Sequence, residues 1–204
     1  MAKSGGKGRT QGGGGRHLRI IGGQWRGRRL QFPELPGLRP TGDRIRETLF
    51  NWLAPDIVGA RCLDLFAGSG ALGLEALSRG AAHCDFVERD RTAAASLRSH
   101  IDSLAAHPRA RVLEADALAF LRGCSARYDI VFLDPPFAAD LLAASAASLA
   151  DGGHLEAGAR IYTEQDADEV CALPSTWREL RRKQSGNVAY ALLTAVDPED
   201  APPA

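Results

Sequence analysis

Asp134-Pro135-Pro136-Phe137 closes the apolar run Ile130-Val131-Phe132-Leu133 and sets a carboxylate, two rigid imides and an aromatic ring in successive positions. Two prolines fix two φ angles and remove two amide donors, so the segment cannot continue a sheet and leaves its carbonyls free to accept. A carboxylate beside such carbonyls, with a flat ring, can grip a planar heterocycle by its amino group. With a methyl donor alongside, this suits methylation of a nucleobase nitrogen, and Asp134, Pro135, Pro136 and Phe137 are the candidate catalytic residues. Methylation of a pyrimidine carbon would need a cysteine nucleophile, and none lies in this stretch.

A second group of residues could hold the donor. Gly68-Ser69-Gly70-Ala71-Leu72-Gly73 fits G-x-G-x-x-G, and Glu88 follows 20 residues after Gly68, at the end of the next apolar run. The glycines let backbone approach a ligand closely, and the start of the helix after them offers unpaired amides to an anionic group. Glu88 can accept both hydroxyls of a ribose. NAD and S-adenosylmethionine both satisfy this pattern; Asp64, four residues before Gly68, adds negative charge that favours the cationic S-adenosylmethionine and opposes a pyrophosphate. Asp116, followed by Ala117, either accepts from an adenine amino group or caps the next helix. The candidate cofactor residues are therefore Asp64, Phe66, Ala67, Gly68, Gly70, Glu88, Asp116 and Ala117, and no metal is expected.

These residues need a scaffold that brings distant strand ends together. From Arg61 onward strand and helix patterns alternate, which predicts a parallel sheet covered on both faces. Strands are expected at Leu63 to Phe66, 83 to 88, from Val112, at Tyr128 to Asp134 and at Ala159 to Thr163. Helices are expected through Leu72 and Leu77, through Ala94 to Leu104, and from a cap at Asp140 to Gly152-Gly153. Arg178 to Lys183 and Val188 to Leu193 form an antiparallel pair at one edge. In open sheets of this kind ligands bind outside the carboxyl ends of the strands, where Gly68, Glu88, Asp116 and Asp134 would meet.

Ahead of this body the texture differs. Residues 1-15 are a Gly-rich basic tail with too little apolar surface to order themselves. Leu18-Arg19-Ile20-Ile21 and Gln24 to Phe32 read as two short strands joined at Gly22-Gly23, and a turn follows from Leu35 to Thr41. Asp43 then caps a helix from Arg44 to about Leu53, with Ile45, Leu49, Trp52 and Leu53 as its apolar stripe and Arg44 and Glu47 off it. The expected organisation is a tail (1-15), an RNA-binding extension (16-55), a catalytic domain (56-196) and a flexible acidic tail (197-204).

Formal net charge is zero, yet residues 1 to 46 hold eleven Lys and Arg against two acids, giving +9 there and −9 over the rest. A basic arm on an acidic body implies a polyanionic partner for the arm, through Arg16, Arg19, Arg26, Arg28, Arg29, Arg39, Arg44 and Arg46. No apolar run approaches the roughly 20 residues that span a bilayer, and the four scattered cysteines lack metal-ligand spacing. A cytoplasmic protein with reduced thiols and no membrane partner is expected.

From Leu18 to about Leu193 the pattern resembles the RsmD family, the bacterial 16S rRNA guanine-N2 methyltransferases. The resemblance rests on the stretch Arg19 to Arg28, on Leu38-Arg39-Pro40-Thr41-Gly42-Asp43-Arg44, on Arg46 to Leu53, on Asp64 to Leu77 and on Asp134-Pro135-Pro136-Phe137. It implies an α/β class I methyltransferase fold, Rossmann-like, with a seven-stranded sheet whose last strand is antiparallel and a small basic hairpin and helix in front. It further implies S-adenosylmethionine as donor and, as acceptor, guanine 966 of 16S rRNA in the 30S subunit or its assembly intermediate; separately, a monomer is expected. Asp134 takes the place of the active-site carboxylate, Phe137 of the stacking aromatic, Phe66 to Gly70 of the cofactor loop and Glu88 of the ribose acceptor. Competing readings are a DNA or other RNA amino-methyltransferase acting on adenine or cytosine, and a non-catalytic RNA-binding module on the same fold.

Overall fold

The computed structural model describes residues 16–33, 41–136 and 141–196. Two strands, β1 (Arg16–Arg19) and β2 (Arg29–Phe32), pair antiparallel ahead of helix α1 (Asp43–Trp52). The body follows in the order β3 (Arg61–Asp64), α2 (Ala71–Ser78), β4 (His83–Glu88), α3 (Arg91–Ser103), β5 (Ala110–Glu114), α4 (Ala117–Gly123), β6 (Tyr128–Leu133), α5 (Leu141–Asp151), β7 (Leu155–Asp166), β8 (Trp177–Ser185) and β9 (Val188–Ala195). The seven strands of the body lie in the order β5-β4-β3-β6-β7-β9-β8; the first five run parallel, and β9 is antiparallel to both β7 and β8. The sheet has the predicted form, with the chain's last strand the reversed one.

Continuous apolar runs make β3, β4 and β6 buried on both faces. One face, carrying Cys62, Phe86, Ile130, Phe132, Tyr162 and Tyr190, packs under α1, α2, α3 and the hairpin. The other, carrying Leu63, Val87, Val131 and Ile161, packs against Leu121 of α4 and Leu142 and Leu149 of α5. Cys62 and Cys84 are fully buried small apolar residues, and burial pushes both thiols up, with neighbouring carboxylates adding to the shift.

The hairpin differs from expectation. Its strands end at Arg19 and resume at Arg29; Ile20 still bonds across to Arg28 and Gly27, and the turn from Ile21 to Arg26 folds onto the end of α2. Gln24 N–H donates to the Ser78 carbonyl at 2.7 Å and Trp25 N–H to Ser78 Oγ at 2.9 Å. Helix α2 thereby gains a partner for a carbonyl its own last turn leaves open. Gly23, at φ +73, comes so close that a Cβ there would lie 1.8 Å from that carbonyl. Capture by α2 therefore outcompetes continuation of the strands. Leu18, Ile20, Trp25, Leu30 and Phe32 share one core with the sheet, so the extension and the body are fused by a common interior.

Helix α1 also departs from the reading in two details. Its N-cap is Gly42, which makes no side-chain cap, while Asp43 is the first helical residue and pairs with Arg46 and Arg19. Its buried face is broader than the predicted stripe: Leu49, Phe50 and Leu53 are fully buried, whereas Trp52 is partly exposed and stacks on Tyr190 with ring centroids 5.6 Å apart. The helix is wedged between the sheet and the hairpin, and periodicity alone reports one contact face. The predicted cap Asp140 and all but Thr41 of the turn expected from Leu35 to Thr41 lie outside the described residues.

Candidate active site

The turn after β3 is held by its own backbone. Gly70 N–H donates to the Ala67 carbonyl at 2.7 Å, and Gly70, at φ +78, is the N-cap of α2. Only a residue without Cβ enters that conformation cheaply, and a Cβ at Gly70 would also stand 2.5 Å from Leu97. Gly73 serves packing: a Cβ there would meet the Phe86 ring at 2.2 Å, so it lets α2 lie directly on β4. Ala67 N–H donates to the Val87 carbonyl at 2.9 Å, which joins the turn to the end of the neighbouring strand. Phe66 is half-buried beside it.

Glu88, last residue of β4, reaches back to this turn. One carboxylate oxygen accepts from Gly68 N–H at 2.8 Å and the other from Asp90 N–H at 2.7 Å. A carboxylate has about four acceptor sites, so Glu88 keeps capacity for a diol. Asp116 caps α4 through Ala119 N–H at 2.9 Å and is exposed, with Ala117 buried as the first residue of the helix. The cap is its observed role.

Asp64 does not face the turn as a free charge. It is 2% exposed and accepts from Gly73 N–H at 2.9 Å. Burial raises its pKa to about 7, the Gly73 bond opposes the rise and the Glu88 charge adds to it. A group divided between acid and carboxylate at neutral pH is a weaker source of negative charge than the sequence suggested.

Asp134 stands just past the end of β6, partly exposed at the rim while its carboxyl group is enclosed. Pro135 is buried and Pro136 exposed; Phe137 lies outside the described residues. The hydroxyl of Thr41, two residues before α1, donates to Asp134 Oδ2 at 3.1 Å. On β7, Ile130↔Arg160 to Leu133↔Thr163 set a register that makes Asp134 and Glu164 lateral neighbours. Glu164 is 4% exposed and accepts from the Tyr162 hydroxyl at 2.8 Å. Burial drives the Asp134 carboxyl well above the usual carboxylate range, and the charges of Glu164 and Asp64 add to this against the Thr41 bond. Glu164 is raised too, again by burial, with its Tyr162 and Thr41 bonds opposing. Neither makes an ion pair among the described residues. Thr41 and Glu164 are functional candidates that sequence reasoning missed; the register of β6 on β7 brings Glu164 to Asp134, and the chain before α1 brings Thr41.

The arm's arginines separate into two kinds. Arg26, Arg28, Arg29 and Arg44 are exposed, and Arg19 is exposed although it pairs with Asp43 at 3.2 Å. Arg16 lies in β1, and Arg39 falls outside the described residues. Arg46 must be withdrawn from the RNA-facing set: it is 1% exposed, and its guanidinium is occupied by the Thr41 and Arg19 carbonyls, Asp43 and Glu75. It is an internal brace. Glu75, fully buried on α2, collects the other contacts of that brace: Ile21 and Gly22 N–H at 2.8 Å each and Arg79 at 2.7 Å.

A cavity of about 300 Å³ lined by Asp56, Val58, Asp129 and Arg160 opens at the amino ends of the strands, on the rim opposite these carboxylates. Among the described residues no helix is long and apolar enough to cross a membrane.

The family model described as "Conserved hypothetical protein 95" matches residues 18–194. Ribosomal RNA small subunit methyltransferase D of Escherichia coli (strain K12) is 51% identical over 176 residues, covering 86% of this chain and 88% of that protein. The solved structure of the Escherichia coli protein yhhF superposes with a TM-score of 0.83 at 46% identity, over 89% of this chain and 99% of that one. An RNA methyltransferase from Salinibacter ruber, solved in complex with S-adenosyl-L-homocysteine, gives a TM-score of 0.60 at 15% identity over 81% of this chain and 100% of its own, a likeness of fold alone.

Proposed function

The chain belongs to the ribosomal RNA small subunit methyltransferase D (RsmD) family, and from that premise we propose that it transfers a methyl group from S-adenosylmethionine to the exocyclic N2 of one guanine of 16S rRNA. The methylation of small-subunit rRNA is the family's activity; the guanine, its N2 and position 966 are the finer part of this reading. The observation that carries it is the carboxylate of Asp134 beside the buried Pro135, on the same rim as the Gly68–Gly70 turn and Glu88.

The residues present fit the cofactor: a turn that admits close approach, a carboxylate with spare acceptor sites for a ribose diol, and carboxylates that suit a cation. When bound, it supplies a methyl group on a positively charged sulfur. Glu88 holds the ribose, Asp116 and Ala117 flank the adenine, and the turn from Phe66 to Gly70 lies along the rest. The exocyclic nitrogen of guanine is a poor nucleophile because its lone pair is delocalised. Asp134 and the Pro135 carbonyl each accept one N–H, which fixes the nitrogen with its lone pair toward the methyl group and stabilises the positive charge that develops. Phe137 stacks on a base that must first leave its own stack. Arg19, Arg26, Arg28, Arg29 and Arg44 bind phosphate without reading sequence, joined by Arg16 and Arg39. A cytoplasmic monomer acting on the 30S subunit or its assembly intermediate completes the proposal.

The test is transfer of labelled methyl to 16S rRNA, free and within 30S subunits, with the product base mapped. Label in N2-methylguanine at one position is expected. Label in an adenine or cytosine amino group would replace this reading with the other amino-methyltransferase one.

A further inference from the structure

We propose that Glu164 is a positioning residue of the methyl-transfer site, the neutral partner that carries a proton so that Asp134 can act as the carboxylate. The inference rests on the assignment of Asp134 as the residue that grips the acceptor nitrogen.

Three observations lead to it. First, the register of β6 on β7 places Glu164 directly beside Asp134, both on the face under α1. Second, no cation separates them: among the described residues Glu164 is touched by Tyr162 and Thr41 and makes no ion pair. Third, each carboxyl group has one hydroxyl donor. The Tyr162 hydroxyl donates to Glu164 at 2.8 Å and the Thr41 hydroxyl to Asp134 at 3.1 Å. The two are thus matched in the protein alone, and the group that receives a further donor is the one that ionises.

Two carboxyl groups this close in a buried setting do not both ionise readily; the pair keeps one proton through a range of pH and titrates as a unit. An arriving amino group donates an N–H to Asp134, which favours the ionised form there and leaves the proton on Glu164. Other ionisable groups around the pair are Asp64 at the end of β3, which acts on Asp134, Tyr190 opposite Glu164 on β9, Lys183 opposite Tyr190 on β8, and Arg46 of α1, whose guanidinium holds the Thr41 carbonyl. Arg46 is committed to Asp43 and Glu75, which leaves the pair without a counter-ion. In the reaction the nitrogen lone pair forms the bond to the methyl carbon, and the carbon–sulfur bond breaks with its pair going to sulfur. The nitrogen then carries one proton too many, and that proton passes to Asp134. Asp134 and Glu164 are then both acids until solvent takes one proton back.

The test compares Glu164→Ala, Glu164→Gln and Thr41→Val with the parent, using labelled methyl transfer to 30S subunits, calorimetry with S-adenosylmethionine, and kcat as a function of pH. Glu164→Ala should lower kcat about 10- to 100-fold with cofactor affinity kept, and Thr41→Val should fall in the same range. Glu164→Gln, neutral and able to donate, should rescue most of that loss. Because Gln has no second proton to lose, its profile should retain the acid limb and lack the alkaline limb of the parent. Cofactor affinity within about twofold certifies the fold of each variant. A Gln variant as impaired as Ala would mean that an ionised Glu164 is required and would overturn the proposal. So would an Ala variant with the parent's kcat, or an unchanged alkaline limb in Gln. If Asp134→Asn also remained active, the assignment of Asp134 itself would fall, a distinct result.

Discussion

Glu75 on α2 and Glu164 on β7 are both buried glutamates, and their surroundings are opposite. Glu75 meets two guanidinium groups, of Arg46 and Arg79, and two backbone amides. Glu164 meets a tyrosine hydroxyl, a threonine and another carboxylate. The first arrangement spends every lone pair on the fold and joins hairpin, α1 and α2. The second leaves like charges together at the carboxyl end of the sheet, which costs stability and keeps a titratable site available for chemistry. Compensation of charge thus distinguishes a buried acid that braces the fold from one poised to act.

The comparison can be broken first at the brace. Glu75→Ala would leave the buried Arg46 with Asp43 as its one carboxylate partner and strip two amides of their acceptor, so unfolding free energy in urea should drop by about 3–5 kcal/mol. A loss under about 1 kcal/mol would show that the two clusters do not differ in kind. Asp134→Ala should do the reverse: kcat falls by at least about 100-fold, about 2.7 kcal/mol on the barrier, while stability and cofactor affinity stay level. Equal loss of cofactor binding by calorimetry would place Asp134 in the wrong subsite. Glu88→Ala should weaken S-adenosylmethionine by about 1.5–3 kcal/mol through lost charge-assisted hydrogen bonds, and an unchanged affinity would remove it from the ribose.

The smallest effect sharpens the comparison by pH. Asp64 titrates near 7 in the fold against 3.8 for an ordinary aspartate, so the folded state holds its proton more tightly. Its contribution to stability is present below about pH 4 and is lost as pH climbs through about 7. Asp64→Asn should therefore show a flatter dependence of the urea midpoint on pH than the parent across that window, and identical slopes would count against a buried, shifted Asp64.

The sheet was legible in the sequence because parallel strands buried on both faces must be written as unbroken apolar runs, as at Ile130 to Leu133. The positions of Gly68, Glu88 and Asp134 on one rim followed from the same alternation, since each lies at or just past the carboxyl end of a strand. Thr41 and Glu164 were not legible. Thr41 stood inside a stretch that carries the family resemblance but had no role assigned, and nothing local marks Glu164; register across β6 and β7 and the course of the chain before α1 bring them to Asp134. Arg46 was misplaced for a related reason: the helical period gives the angle between side chains and does not say what covers the second flank of the helix. Asp43 looked like a cap because it precedes an apolar stripe, yet Arg46 and Arg19 claim its carboxylate.

The clamp of the hairpin on α2 also bears on how the protein is made. Its hydrogen bonds join residues 53 to 56 positions apart in the chain, and such distant contacts slow folding because a long loop must close before they form. The hairpin is synthesised before α2 and therefore waits, without these partners, until residues 75 to 78 have emerged. A nascent chain of this protein should acquire protease resistance late and abruptly, with the arm and the Gly68–Gly73 turn becoming protected in the same step.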